Sequence, residues 1–243
     1  MLSTIPINYK FDINPNYIYL CILFMQLIMK RTIFLFMLSA LILLPAKSQT
    51  IDLFNGTNLD GWGFVLKDDS KKPDEVFKAE NGVIHIAGDP FGYMYTLDTY
   101  DNFCLYVEWR WLQEASNSGI FLYVQDDNKV WPNAIECQLK AGDAGDFVLL
   151  NGSDLAEFET KKGEARPAFP VIKKKAASSE MPVGEWNNAN ITCVNGDITV
   201  FINGVLQNTG TKSLHKTGHI ALQSEGKDIL FRNVRLTPLR SRQ

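Results

Sequence analysis

From Ile51 to Leu239 the chain is cut into short runs of β-branched and aromatic residues, bounded by Gly, Asn, Asp and Pro. No stretch there sustains the 3.6-residue apolar period of a long helix, so few helices are expected. Val83–Ala87, Tyr93–Thr96, Phe103–Leu112, Gly119–Gln125, Ala134–Lys140, Asn188–Val194, Asp197–Ile202, His219–Ser224 and Ile229–Leu236 read as strands. Asn195-Gly196 links two of them and Asn203-Gly204 ends the next; Asn-Gly favours the tight turn whose twist matches paired strands. Many short strands with frequent turns predict an all-β fold, an antiparallel β-sandwich. One region breaks the pattern. Asp143–Pro182 is long, polar and rich in Lys, Ala, Ser and Pro, with Lys173-Lys174-Lys175 at its centre. A segment of this kind is expected to be a functional lid or disordered, its basic triplet either solvated or guarding an anionic or hydroxyl-rich ligand.

The N-terminal region reads differently. Met29-Lys30-Arg31, the apolar run Ile33–Leu44 and Ala46-Lys47-Ser48 supply the basic, hydrophobic and small-residue parts of a secretory signal peptide. Met29 reads as the true start, which makes residues 1–28 an extension from a mis-assigned start. Cleavage near Ser48-Gln49 would export residues 49–243, a length that suits a single domain, to the periplasm or beyond. The runs Tyr17–Ile28 and Ile33–Leu44 each fall short of the roughly 20 residues that span a bilayer, and Lys30-Arg31 separates them, so no stable span is expected in the mature form. Loss of Lys10, Lys30, Arg31 and Lys47 with Asp12 moves the net charge from −3 to −6. That balance argues against nucleic acid, whose affinity comes from cationic contacts to phosphate. Cys104, Cys137 and Cys193 remain, all in apolar strand-like runs and without metal-type spacing, so buried thiols are expected.

Chemistry concentrates on two strands. Ile135, Cys137 and Leu139 alternate with Glu136, Gln138 and Lys140, so an acid, an amide and an amine share one face. Near the C-terminus Gln223 and Glu225 share a parity opposite Leu222. Two such strands side by side would make a polar floor for a small polyhydroxylated ligand. Glu136 and Glu225 are the candidate catalytic residues, because a carboxylate among apolar strands has its pKa raised towards the working pH. Phe121 and Tyr123 share the parity of Asn117 and are candidates to stack on a sugar ring. Trp131, beside Pro132 in the loop before the acidic strand, is another. Arg232 is a candidate to pin a carboxylate in the site, with a surface role as the alternative. Glu108 reads as a cross-strand ion-pair partner, and Trp62, Trp109 and Trp186 as core or edge packing. His85, His215 and His219 share no ligand spacing, and none is assigned to catalysis.

Read together, several blocks resemble the 3-keto-disaccharide hydrolase domain family. They run from Leu53-Phe54-Asn55-Gly56 and Leu59-x-Gly61-Trp62 through Phe103-x-Leu105-x-x-Glu108-Trp109, Asn117-Ser118-Gly119-Ile120-Phe121 and Ile135-Glu136-x-Gln138-Leu139. Gly184-Glu185-Trp186-Asn187, Asn203-Gly204-Val205, Gly218-x-Ile220-x-Leu222-Gln223 and Phe231-Arg232-Asn233-Val234 complete the series. The resemblance implies a concanavalin A-like jelly roll, as in lectins and glucanases, with a sugar site on its concave face, exported by bacteria that digest glycans. Two positions depart from the family pattern: Glu225 stands where a His often precedes the glycine of the last hairpin, and Tyr123 where an Arg is frequent.

A 3-keto sugar carries an acidified proton at C2. Its removal expels the C1 oxygen, and water then adds to the enone. Glu136 is the first choice for the base and Glu225 the second, with Asn117, Gln138 and Lys140 positioned to stabilise the enolate oxygen. A divalent cation held by the two glutamates, calcium, magnesium or manganese, is the alternative stabiliser. Substrate supply would require a sugar 3-oxidoreductase as a functional partner. A non-catalytic carbohydrate-binding module and a conventional glucanase are the competing readings. The second is weakened because Gln138 and Lys140, not acids, follow Glu136 at the strand spacings that bring two carboxyls to about 5–5.5 Å.

Overall fold

The structure, a computed structural model, describes residues 19–20, 23–31, 49–125 and 129–239. Residues 23–31 are helical. Ile33–Leu44 and Ala46-Lys47-Ser48, which carry the signal-peptide reading, lie outside the described residues. No described helix is long and apolar enough to cross a membrane. Ser48–Gln243 forms a compact unit, whose described residues make fifteen strands. In chain order these are β1 (Ile51–Asp52), β2 (Trp62–Leu66), β3 (Phe77–Glu80), β4 (Val83–Ile86), β5 (Gly92–Thr96), β6 (Phe103–Trp111), β7 (Gly119–Val124) and β8 (Ala134–Gln138). Then come β9 (Phe147–Leu150), β10 (Val171–Ile172), β11 (Asn187–Val194), β12 (Asp197–Ile202), β13 (Val205–Gly210), β14 (His219–Ser224) and β15 (Ile229–Pro238). A one-turn helix, Pro73–Val76, precedes β3.

The strands form two antiparallel sheets, the jelly-roll sandwich that the sequence predicts. One runs β13-β12-β11-β6-β15-β4-β3 with β1 on β15; the other runs β10-β9-β8-β7-β14-β5-β2. Strand β6 shows how alternation builds the first sheet: Phe103, Leu105, Val107, Trp109 and Trp111 are buried, whereas the residues between them are not. These inward residues meet Ile120, Leu122, Ile135, Cys137, Ile220 and Leu222 of the second sheet in one core cluster. Both predicted Asn-Gly turns form, with φ of 55° and 89° at Asn195-Gly196 and 48° and 78° at Asn203-Gly204. That is the left-handed backbone such a turn requires.

The central strands of the second sheet are buried on both faces. Every residue of β7 and β14 is buried, and Tyr93, Phe121, Val124, Ala134, Val148, Leu150 and Ala221 make a second cluster on the outer face. This cluster floors the site.

Asp143–Pro182 is not one long irregular loop. It contains β9, which pairs with β8, and β10. The remainder is tied down by the residues that made it look solvated. Lys173 Nζ donates to the buried Asp146 carboxylate at 2.8 Å, the Lys174 backbone N–H to its other oxygen at 2.7 Å, and Lys175 N–H to the Gln207 carbonyl. Lys174 and Lys175 side chains bond Gly142 and Thr209. The triplet therefore straps one sheet edge to the other. Among the thiols, Cys137 and Cys193 are buried as expected, but Cys104 is exposed, because it alternates outward on β6 beside Thr192.

Candidate active site

Glu136 lies at the middle of β8, on its outer face, opposite Phe121 of β7 and Val148 of β9. Only 3% of it is exposed. Its side chain lies across Gly119: a Cβ there would stand 2.3 Å from Glu136 Oε1. A side chain at 119 would displace the carboxylate, so the glycine is what lets it lie flat against the sheet. Oε1 of Glu136 is buried with no hydrogen-bond partner. Burial, and secondarily the charge of Glu225, push its pKa well above the ordinary carboxylate range.

Glu225 reaches the same pocket from the turn after β14. The turn is held close because Gly226 packs on Ser116 and the Asn117 backbone; a Cβ at Gly226 would meet Ser116 Oγ at 2.3 Å. Burial raises the Glu225 pKa, and three groups oppose it: a hydrogen bond from Asn117, another from Gln223, and the nearby Lys140 charge. The Gln223 Nε2 donor lies 2.7 Å from Oε2. Gln223 and Asn117 each keep a buried oxygen, Oε1 and Oδ1, without a partner. Three acceptors around one pocket are thus available to donors from water or a ligand, since such groups are costly to bury unpaired.

The pocket encloses about 200 Å³ and is lined by Asn117, Trp131, Glu136, Gln138, Val148, Leu150, Phe169 and Glu225. Five of the ten candidate residues thus line it together: Asn117, Trp131, Glu136, Gln138 and Glu225. Gln223 supports Glu225, and Lys140 is an exposed residue at the rim, 3.9 Å from Asp143. Gln138 Oε1 accepts from the Leu139 and Lys140 backbone N–H groups, which leaves its amide nitrogen to donate. Phe121 is fully buried beneath the site and forms its floor, with no ring face free for a sugar.

Two candidates fall elsewhere. Tyr123 does not share the face of Phe121: its φ is 55°, and the β7–β14 register shifts between His219 and Ala221. The extra residue of this bulge turns Tyr123 into the core against Phe103. Arg232 is on the other sheet, where it pairs with Glu108 at 2.5 Å and covers Trp186 at 3.9 Å from the ring centroid. That pair is the cross-strand partner expected for Glu108. The sequence reading missed Phe169 and Phe91. Both rings pack on Trp131, at centroid distances of 5.6 and 5.8 Å, from loops with no strand signal to fix their direction. His219 is buried at the start of β14, outside the pocket lining, with Nδ1 2.6 Å from the Thr96 carbonyl.

A domain model described as 3-keto-alpha-glucoside-1,2-lyase-like matches residues 49–237. The chain belongs to this family. Membership makes it a carbohydrate-active protein; the neighbours in fold are far more distant. A Parabacteroides distasonis protein assigned to the glycosyl hydrolases superposes with a TM-score of 0.58 at 21% identity, over 79% of this chain and 94% of its own. A Bacillus licheniformis beta-glucanase gives 0.53 at 10% identity, over 81% and 100%. A carbohydrate-binding module from Bacillus subtilis gives 0.53 at 11%, over 72% and 94%. At these identities the likeness is one of fold. No curated protein matches the chain.

Proposed function

We propose that this lyase-like protein cleaves 3-keto-glycosides by abstraction of the C2 proton, elimination at C1 and hydration of the enone. One observation carries the reading: two carboxylates face one small pocket, one whose buried Oε1 has no hydrogen-bond partner and the other with two donors, Asn117 and Gln223. Unequal environments divide acid from base. Glu225, which accepts from Gln223 and Asn117 and lies near Lys140, is the more readily ionised and serves as the base. Glu136, buried with its Oε1 unpartnered, holds its proton and serves as the acid, the reverse of the order the sequence suggests. In the elimination the C2 proton passes to Glu225, the C1=C2 bond forms, and the C1–O bond breaks with the Glu136 proton passing to the leaving oxygen. Water then adds its oxygen to C1 and a proton to C2, and the released sugar keeps its ketone. The enolate oxygen would be stabilised by the Gln138 amide and the Lys140 ammonium.

The oxygen donors of Glu136, Glu225, Asn117 and Gln223 also have the chemistry that a hard divalent cation takes. The test is to incubate the purified protein with 3-keto-glycosides and their unoxidised parents, with and without chelator. Release from the keto forms alone supports this reading, and loss of release with chelator assigns a cation. Release from both forms identifies a conventional glycosidase, whereas binding without release identifies a binding module. An enzyme of this kind depends on a sugar 3-oxidoreductase for its substrate. Export with cleavage before Gln49 belongs to the same proposal; a secreted chain whose N-terminus is Met29 or earlier would refute it.

A further inference from the structure

Outside the carboxylate pair, the least explained feature is a set of three aromatic rings from three separate loops. Phe91 lies between β4 and β5, Trp131 between β7 and β8, and Phe169 just before β10. Phe91 and Phe169 are tilted 49° and 65° to Trp131, which makes a faceted wall rather than a flat stack. The two outer rings are 36% and 45% exposed. Lys67 Nζ lies 5.5 Å from the Phe91 centroid and adds a donor at that end.

The wall has a fixed place relative to the chemistry. Along β8 the pocket changes character: Gln138 and, beside it, Asn117 and Glu225 occupy one end, and Glu136 the middle. Ala134, paired with Leu150, begins the other end, and Trp131 and Phe169 continue it. At ~3.3 Å per residue, Ala134 to Gln138 covers about 13 Å. A cavity of about 200 Å³ is smaller than the ~300–1,000 Å³ that encloses drug-sized ligands. Its polar part therefore suits a single sugar ring. Whatever is joined to that ring through the scissile bond extends to the apolar end, where Trp131 and Phe169 line the same cavity and Phe91 packs on Trp131.

We infer that Phe91, Trp131 and Phe169 form a leaving-group subsite that selects glycosides whose leaving group is a ring with an apolar face, either an aromatic aglycone or a second sugar. This assignment rests on the reaction proposed above for its direction, with the reacting sugar at the glutamates and the leaving group at the wall. Phe91 and Phe169 are specificity-determining residues and take no part in bond breaking. Binding energy from such remote contacts sharpens selection without altering the reacting groups.

The experiment compares the wild type with the Phe91→Ala/Phe169→Ala double variant by titration calorimetry, using methyl glucoside, phenyl glucoside and a glucosyl-glucose, all unoxidised so that binding is read without turnover. The wild type should bind phenyl glucoside, the disaccharide or both about tenfold more tightly than methyl glucoside. The double variant should lose that preference to within twofold, and a single cooperative thermal unfolding transition reports that it is folded. Preference for phenyl glucoside alone assigns an aromatic aglycone, and preference for both assigns any ring. Equal wild-type affinities, no measurable binding, or a preference that survives in the variant would overturn the subsite. Failure to release sugar from 3-keto-glycosides, with the binding preference intact, would count against the reaction and not the wall.

Discussion

Glu136 and Glu225 enter one pocket with unequal company, and the inequality has consequences that can be read separately. Glu136 has a folded-state pKa well above its ordinary value of 4.5, with burial as the chief cause. A group raised in this way binds more protons folded than unfolded, so its contribution is fully present below pH 4.5 and is lost as pH rises through the folded pKa. Glu136→Gln removes the ionisation. Above pH 4.5 the variant should gain on the wild type as pH rises towards the folded-state pKa, by at most ~1.4 kcal/mol per pH unit, in denaturant midpoints. A stability difference that does not change with pH would mean that Glu136 is not held neutral. The roles are told apart by leaving group. Each Gln variant should lose about 10²–10⁴-fold in kcat on an alkyl 3-keto-glycoside. A nitrophenyl leaving group, which needs no proton, should restore Glu136→Gln and leave Glu225→Gln inactive. Restoration of the other variant would exchange the roles.

Gly119 is where β7 makes room for the acid on β8, and it supplies a test of the strand pair. Gly→Ala at an unstrained position stabilises by about 0.4–1 kcal/mol through the unfolded chain. Here the new Cβ would fall 2.3 Å from Glu136 Oε1, so Gly119→Ala should lower stability and turnover together. In a Glu136→Ala background the same change should cost nothing, a coupling that a double-mutant thermal denaturation series measures. The strands also show where the sequence was legible. Alternation was clear on β6 and β12, each half-buried, and the two Asn-Gly turns fell where expected. Strand β9 was missed because Phe147–Leu150 is buried on both faces and shows no alternation, and because polar residues surround it. Tyr123 was misplaced for a different reason. Parity holds only while pairing is regular, and the bulge in β7 shifts it by one.

At the scale of the molecule, a sandwich with a second apolar cluster on one outer face can bury a carboxylate on a sheet surface that would otherwise be wet. That burial gives Glu136 its raised pKa, and it depends on Phe121, Val148 and the loops that carry Trp131 and Phe169. Parity and the family blocks picked out Glu136, Glu225, Asn117 and Gln138, which line one pocket. The sequence singled out Trp131 but not Phe91 or Phe169, which join it only when three loops meet over the sheet. It also could not order the two acids, because hydrogen bonds to Glu225 come from Asn117 and Gln223 on different elements.

The central claim is that the C2 proton leaves before the glycosidic bond is broken. A 3-keto-glycoside cleaved by the protein in D₂O, with the released sugar followed by NMR at early times against an enzyme-free control, tests this directly. The account predicts one deuterium at C2 for each bond cleaved, in excess of the control. Cleavage that leaves C2 fully protiated would contradict it and point to direct displacement at C1.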